Sequence, residues 1–159
     1  MRRALVLALA IASAPLAHGD AKQHAKGAHA TAAEELVFGR AGDPKKATRT
    51  VRIGMADNMS YSPKELKVMR GETVRFIVHN NGKLKHEMVI GTMQDLKAHA
   101  EMMKKHPGME HDDAFAVNVA PGKRGILVWQ FTKPGEFHFG CLEPGHLEAG
   151  MVGKVEVIK

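Results

Sequence analysis

The sequence predicts an all-β fold, a sandwich or barrel with one short helical insertion, and three observations predict it. Short runs alternating apolar with polar residues recur from Thr50 to the C-terminus; Gly, Pro and Asn punctuate them at regular spacing; and one stretch, residues 94–105, carries a helical pattern instead. Strands separated by turns rather than by regular helices indicate a sandwich or barrel and not a βαβ repeat.

The 159 residues suit one domain with an appendage. Met1-Arg2-Arg3 is a short basic start, and Ala4 to Ala17 is an apolar run interrupted by Pro15. That run is too short to span a bilayer and has the flanks of a secretory signal peptide, a better fit than a buried N-terminal helix. A signal peptide over 1–21 is expected, with cleavage after Gly19 or after Ala21. Its removal takes away Arg2, Arg3 and Asp20 and lowers the net charge from +6 to +5. Residues 22–47, rich in Ala, Lys, His and Gly, read as a flexible arm, and the domain is expected over 48–159.

Within the domain, Thr50 to Met55, Glu65 to Met69 and Thr73 to Val78 alternate as strands. Arg70-Gly71-Glu72 is a turn between two of them, and Asn80-Asn81-Gly82 breaks the chain again. Leu84 to Ile90 is a short extended segment. Residues 94–105 form a helix stopped by Pro107-Gly108. Strands resume at Ile126 to Phe131 and Glu136 to Cys141, with Pro134-Gly135 between them, and the last runs from Met151 to Ile158. Side-chain parity puts Leu127, Trp129 and Phe131 on one face, and Phe137, Phe139 and Cys141 on another. Leu84, His86, Met88 and Ile90 fall together likewise, so His86 and Cys141 point with the core residues while His138 points out.

The chain has a single cysteine, Cys141, in a sequence that reads as exported. It has no partner for an internal disulfide, which leaves a buried inert thiol, an intermolecular link or a metal ligand. Its neighbours favour the last. Cys141-Leu142-Glu143-Pro144-Gly145-His146-Leu147-Glu148-Ala149-Gly150-Met151 sets a thiol, an imidazole and a thioether on one loop between the last two strands. Soft sulfur with imidazole suits copper, whose two oxidation states both accept these donors. A second imidazole completes a trigonal His₂Cys set with Met as a weak axial ligand. His86 is the best candidate, with His79 and His138 as rivals that parity places outward or too far back. Taken singly, Met151 also reads as core packing and His146 as an ordinary loop residue; the spacing of the set carries the assignment.

These residues resemble a known family. Asn80-Asn81-Gly82 with His86-Glu87-Met88, then Cys141, Pro144-Gly145-His146 and Met151, is similar to the plastocyanin/azurin group of cupredoxins over roughly residues 48–159. The likeness is greatest to the green cupredoxins of the bacterial periplasm associated with copper tolerance, the CopI type. The resemblance implies a Greek-key β-sandwich, one type 1 copper per chain held by His86, Cys141, His146 and Met151, and no catalysis. It also implies electron exit through the exposed edge of His146, with Pro144 and Leu147 as an apolar docking patch. One position departs: in azurin an Asn follows the first histidine ligand and its backbone amide bonds the thiolate sulfur, whereas here Glu87 supplies that amide with a different side chain.

Further soft donors crowd Gly91 to His111: Met93, His99, Met102, Met103, His106, Met109 and His111. They suggest accessory copper binding, His99 with Met102 and Met103 with His106 sharing helix faces, set against helix packing and solvated histidines as the plainer reading. Cleavage after Ala21 would leave Lys22-Gln23-His24 at the terminus, where an amine, two amides and the His24 imidazole can bind Cu(II); cleavage after Gly19 would abolish that site. No basic stripe interleaved with aromatics points to nucleic acid, and no nucleophile elbow, phosphate loop or HExxH pattern points to an enzyme. The expectation is a soluble, monomeric periplasmic copper protein with a role in copper tolerance and electron-transfer capability, meeting an acidic partner if any. The alternative is a dedicated electron carrier between respiratory or photosynthetic partners.

Overall fold

The computed structural model describes residues 34–106 and 113–159; the expected signal peptide and the first part of the arm fall outside them. The chain runs β1 (Arg40–Ala41), a 3-10 turn at Pro44–Lys46, β2 (Arg49–Ala56), β3 (Ser60–Ser62), β4 (Glu65–Met69), β5 (Thr73–Asn80) and β6 (His86–Gly91). The helix α1 (Met93–Lys105) follows, then β7 (Ala116–Val119), β8 (Arg124–Gln130), β9 (Gly135–Gly140) and β10 (Val152–Ile158). Two five-stranded sheets result, ordered β1-β8-β5-β2-β3 and β4-β10-β9-β6-β7. They pack face to face as a mostly β sandwich with one helical insertion, the class the alternation predicts. Pairing is antiparallel except between β2 and β5 and between β4 and β10.

Alternation fixes what each strand buries. In β2, Val51, Ile53 and Met55 are buried while Thr50 and Arg52 are exposed; in β10, Val155 and Val157 are buried between Lys154 and Glu156. These side chains meet Phe76, Val78, Leu127, Trp129 and Phe139 in one core between the sheets, and this apolar burial is the main driving force for the fold. Tyr61 and Phe139 pack edge to face with centroids 4.9 Å apart.

Two expectations are corrected. The arm does not extend to residue 47 as separate chain: Phe38 is buried, stacks on Trp129 at 5.4 Å, and its carbonyl accepts a 2.9 Å bond from Trp129 Nε1. Arg40–Ala41 then pairs with β8 at Gln130 and Trp129. An isolated Leu36-Val37-Phe38 cluster has no period from which to read this; the buried indole and its N–H supply the reason. Leu84, expected inside with His86, is 47% exposed in the loop before β6, because the strand starts two residues later than alternation placed it.

In β6 all six residues are buried, since α1 covers its outer face. The helix starts with a capping box, Thr92 and Asp95 each accepting from the other's backbone. Leu96, Ala100 and Met103, at i, i+4 and i+7, pack against Val89 and Leu142, with Phe115, Ala116 and Leu147 at the margin. The insertion thus ties β6 to the segment that follows β9.

Gly153 on β10 is buried beside Phe139, its cross-strand neighbour on β9. A Cβ there would lie 2.1 Å from Phe139 Cζ and 2.8 Å from the Lys64 carbonyl, and that carbonyl is fixed by a 2.8 Å bond from the Lys154 amide. Gly153→Ala is therefore expected to destabilise the protein by about 1–3 kcal/mol through overpacking, measured by urea unfolding of the metal-free protein. A change within a few tenths of a kcal/mol would mean that Phe139 gives way more easily than the packing indicates.

Candidate metal centre

Three of the four candidate ligands converge at one end of the sandwich. His86 opens β6, Cys141 follows β9, and His146 lies on the loop that returns to β10. One ligand atom of each lies within 4.8 Å of the other two, and among the described residues this is the sole such group of three or more His, Cys, Asp or Glu. Cys141 Sγ is 3.9 Å from His86 Nδ1 and 3.3 Å from His146 Nδ1, and the two rings are tilted with centroids 5.0 Å apart. His86, Cys141 and Met151 are fully buried, while His146 is partly exposed.

The loop geometry explains why these residues meet. The Cys141 amide donates to the Met151 carbonyl at 3.2 Å, and the Met151 amide donates to the His146 carbonyl at 3.0 Å. His146 N–H also donates to Glu143 at 2.9 Å, closing a turn in which Gly145 takes φ 86°; Gly150 takes φ 92° at the next reversal. Glycine enters this left-handed region without a Cβ penalty. Met151 is thereby held against the loop that carries the other two residues.

Tyr61 and Glu87 build the wall behind the sulfur. Glu87 is buried, its Oε1 accepts from the Leu142 amide at 2.8 Å, and its backbone carbonyl accepts from the Tyr61 hydroxyl at 2.6 Å. Burial, opposed by that amide, pushes the Glu87 carboxyl up to about 7. The backbone amides of Glu87 and Glu143 both bond the Cys141 sulfur, so the amide expected at Glu87 is in place. Burial outweighs them and pushes the thiol up to about 12, so Cys141 stays protonated without a metal and must release its proton to ligate one. Burial and the neighbouring His86 depress the His146 imidazole, favouring the neutral ligating form.

A buried sulfur and two imidazole nitrogens, with a buried methionine on the same loop, fit a soft redox-active ion. Asp57 also reaches the site: its Oδ1 lies 3.0 Å from His86 Nε2. Nothing local in the sequence marks it, because 29 residues separate the pair. The Lys83 amide foremost, with Leu84 and His86, holds the Asp57 carboxyl below its usual range against some desolvation.

The remaining candidates are placed as follows. His79 lies on β5 opposite Gly54 and Arg124, in the other sheet. His138 points to the outer side of β9, with Nε2 3.6 Å from Glu136. Met93 and His138 line one shallow cavity, and His99 and Met102 line an apolar one with Leu96 and Phe115. Met103 is buried in the apolar contact between α1 and Leu142, and His106 is the exposed C-cap of the helix. His24, Met109 and His111 lie outside the described residues.

The family model described as copper binding proteins, plastocyanin/azurin family, matches residues 47–158. The chain is 53% identical over 146 residues to the copper-resistant cuproprotein CopI of Rubrivivax gelatinosus, covering 92% of this chain and 87% of that one. It is 37% identical to the copper-resistant cuproprotein CopI of Vibrio cholerae, over 70% of this chain and 67% of the other. Among solved structures, reduced auracyanin of Roseiflexus castenholzii superposes with a TM-score of 0.61 at 26% identity, over 71% of this chain and 99% of that one. Auracyanin B, at 20% identity and a TM-score of 0.62, covers 76% of this chain and 96% of its own and shares the fold.

The Glu87 clasp has a measurable consequence. Glu87→Ala leaves the buried Leu142 N–H without its acceptor and is expected to cost about 1–3 kcal/mol in unfolding of the metal-free protein. Glu87→Gln keeps an acceptor of the same reach and is expected to lose clearly less. Equal losses in the two variants would show that the bond to Leu142 is not what Glu87 contributes.

Proposed function

This chain belongs to the plastocyanin/azurin family of copper-binding proteins, and from that premise we propose that it is an exported copper-tolerance protein that holds one copper through His86, Cys141, His146 and Met151. The observation that carries the reading is the convergence of Cys141 Sγ and the two histidine Nδ1 atoms at the buried end of the sandwich. Met151 is tied by two backbone bonds to the same loop. Bound copper supplies one-electron exchange between Cu(I) and Cu(II).

The chain's own residues do the rest. Strands β6 and β9 fix His86 and Cys141 on a rigid support, so the donors need move little when the charge at the site changes. Tyr61, Glu87 and Leu142 close the inner side against water. His146 has the greatest exposure of the four and offers the route by which an electron reaches a partner. The net charge, +6 for the full chain and +5 once the expected signal peptide is removed, favours an acidic partner. Copper tolerance is preferred over a dedicated carrier role because the relatives similar along most of this chain are copper-resistant cuproproteins.

The test pairs a spectrum with a phenotype. Purified protein with Cu(II) is expected to show an intense thiolate-to-copper charge-transfer absorption that Cys141→Ala abolishes. A strain lacking the gene is expected to regain growth on raised copper with the wild-type gene and not with the Cys141→Ala gene. A colourless copper-loaded wild type would overturn the ligand set. Full rescue by Cys141→Ala would overturn the tolerance role of this site and leave electron carriage as its use.

A further inference from the structure

Strand β2 ends at Ala56, and the chain turns through Asp57, Asn58 and Met59, with Met59 at φ 59° and its amide bonded to the Ala56 carbonyl at 3.0 Å. This turn aims the Asp57 side chain at the loop between β5 and β6. One carboxylate there collects three donors: the Lys83 amide at 2.8 Å, the Leu84 amide at 3.2 Å and His86 Nε2 at 3.0 Å. The same loop is gripped from the other side by Asn80, whose Nδ2 donates to the Leu84 and Val119 carbonyls at 2.7 and 2.9 Å and whose Oδ1 accepts from Gly82. Gly82 fits this arrangement and no larger residue does: a Cβ at 82 would lie 1.9 Å from Asp57 Oδ1. The Asn80-Asn81-Gly82 turn therefore leaves room for a carboxylate that belongs to the turn after β2.

The chemistry at His86 follows from this contact. A neutral imidazole carries one N–H, and a carboxylate can only accept, so the bond to Asp57 assigns the proton to Nε2. Nδ1 then turns its lone pair toward the Cys141 sulfur 3.9 Å away. The ring is fully buried while the Asp57 side chain is 36% exposed, so the carboxylate reaches inward from solvent.

We propose that Asp57 is the positioning residue of this copper centre: it fixes the His86 tautomer and ring orientation, and its negative charge, passed through the hydrogen bond, favours Cu(II) over Cu(I). The proposal rests on the reading of His86 as a ligand. A metal-bound histidine whose other nitrogen donates to a carboxylate is a stronger and better-oriented donor, and losing such a partner typically weakens metal binding 10–100-fold. A carboxylate opposes the loss of positive charge when Cu(II) is reduced. Each tenfold by which Cu(II) binding falls more than Cu(I) binding raises the potential by about 59 mV for one electron.

The experiment compares Asp57→Asn, which keeps an acceptor and loses the charge, with Asp57→Ala, which loses both. Two readouts are taken: the His86 tautomer in the metal-free protein by ¹⁵N NMR, and the reduction potential of the copper-loaded protein by voltammetry. Wild type is expected to show His86 protonated at Nε2. Asp57→Asn is expected to keep that tautomer and raise the potential; Asp57→Ala is expected to lose it and raise the potential further. A wild-type potential in Asp57→Asn, or a wild-type tautomer in Asp57→Ala, overturns the proposal. If Asp57→Ala does not fold, Gly82→Ala displaces the carboxylate without removing it, and an unchanged tautomer and potential there overturn it equally. His86→Ala separates the two claims: charge-transfer absorption surviving in that variant overturns the ligand assignment, while the His86 tautomer in the metal-free wild type and Asp57 variants still reports on Asp57.

Discussion

The antiparallel pairing of β6 with β9 is the constraint on which the rest of the molecule depends. Val89 lies opposite Gly140 and Ile90 opposite Phe139, so the start of β6 and the end of β9 reach the same edge of the sheet. That register brings His86 and Cys141 together across 55 residues of sequence. Side chains alternate with a period of two, so a slip of one residue would send one of them to the opposite face. The neighbouring pairs, β9 with β10 and β6 with β7, hold this register from both flanks. The core behind it, from Phe139 through Val155 to Val119, gives the apolar burial that makes slippage costly.

Burying a thiol, an imidazole and a carboxyl at the end of a β-sandwich runs against the cost of desolvating polar groups. The protein meets that cost with backbone and side-chain partners. The Glu87 and Glu143 amides serve the sulfur, the Leu142 amide serves the Glu87 carboxyl, and the Tyr61 hydroxyl serves the Glu87 carbonyl. The balance remains unfavourable to charge inside, as the raised thiol and the raised Glu87 carboxyl both record. A bound cation would offset the cost of the Cys141 thiolate, which links metal binding to proton release there.

The helical insertion is part of the same economy of contacts. Its buried side, Leu96, Ala100 and Met103, is spent on β6 and on Leu142 and Leu147 beside the candidate ligands. At the far end Lys104 forms ion pairs with Glu101 and with Glu148 of the ligand loop, which lowers the Glu148 carboxyl. Such exposed pairs contribute little to stability, so the apolar contact does most of the holding. A loop bearing His146 and two left-handed glycines is thus backed by a helix on one side and by β6 on the other.

The local features were legible in the sequence because they depend on period and spacing. Alternation located the long strands, and the helical pattern located α1 within a residue. The Cys141, His146 and Met151 spacing put three soft donors on one loop, and the parity of His86 gave it the inward face that it has. The short strands β1, β3 and β7 escaped notice, since two to four residues are too few to display a period. Phe38 was missed for a related reason: its partner is Trp129, 91 residues away. Glu87 was visible as an unusual neighbour of His86, but its bond to Leu142 was not. Asp57 gave no signal, being an ordinary acidic residue in a turn. The sequence by itself determined the all-β class, the soft donor set and the loop that carries most of it. Only the tertiary structure decided which distant groups support those donors, because strand register and sheet packing create contacts that no local pattern encodes.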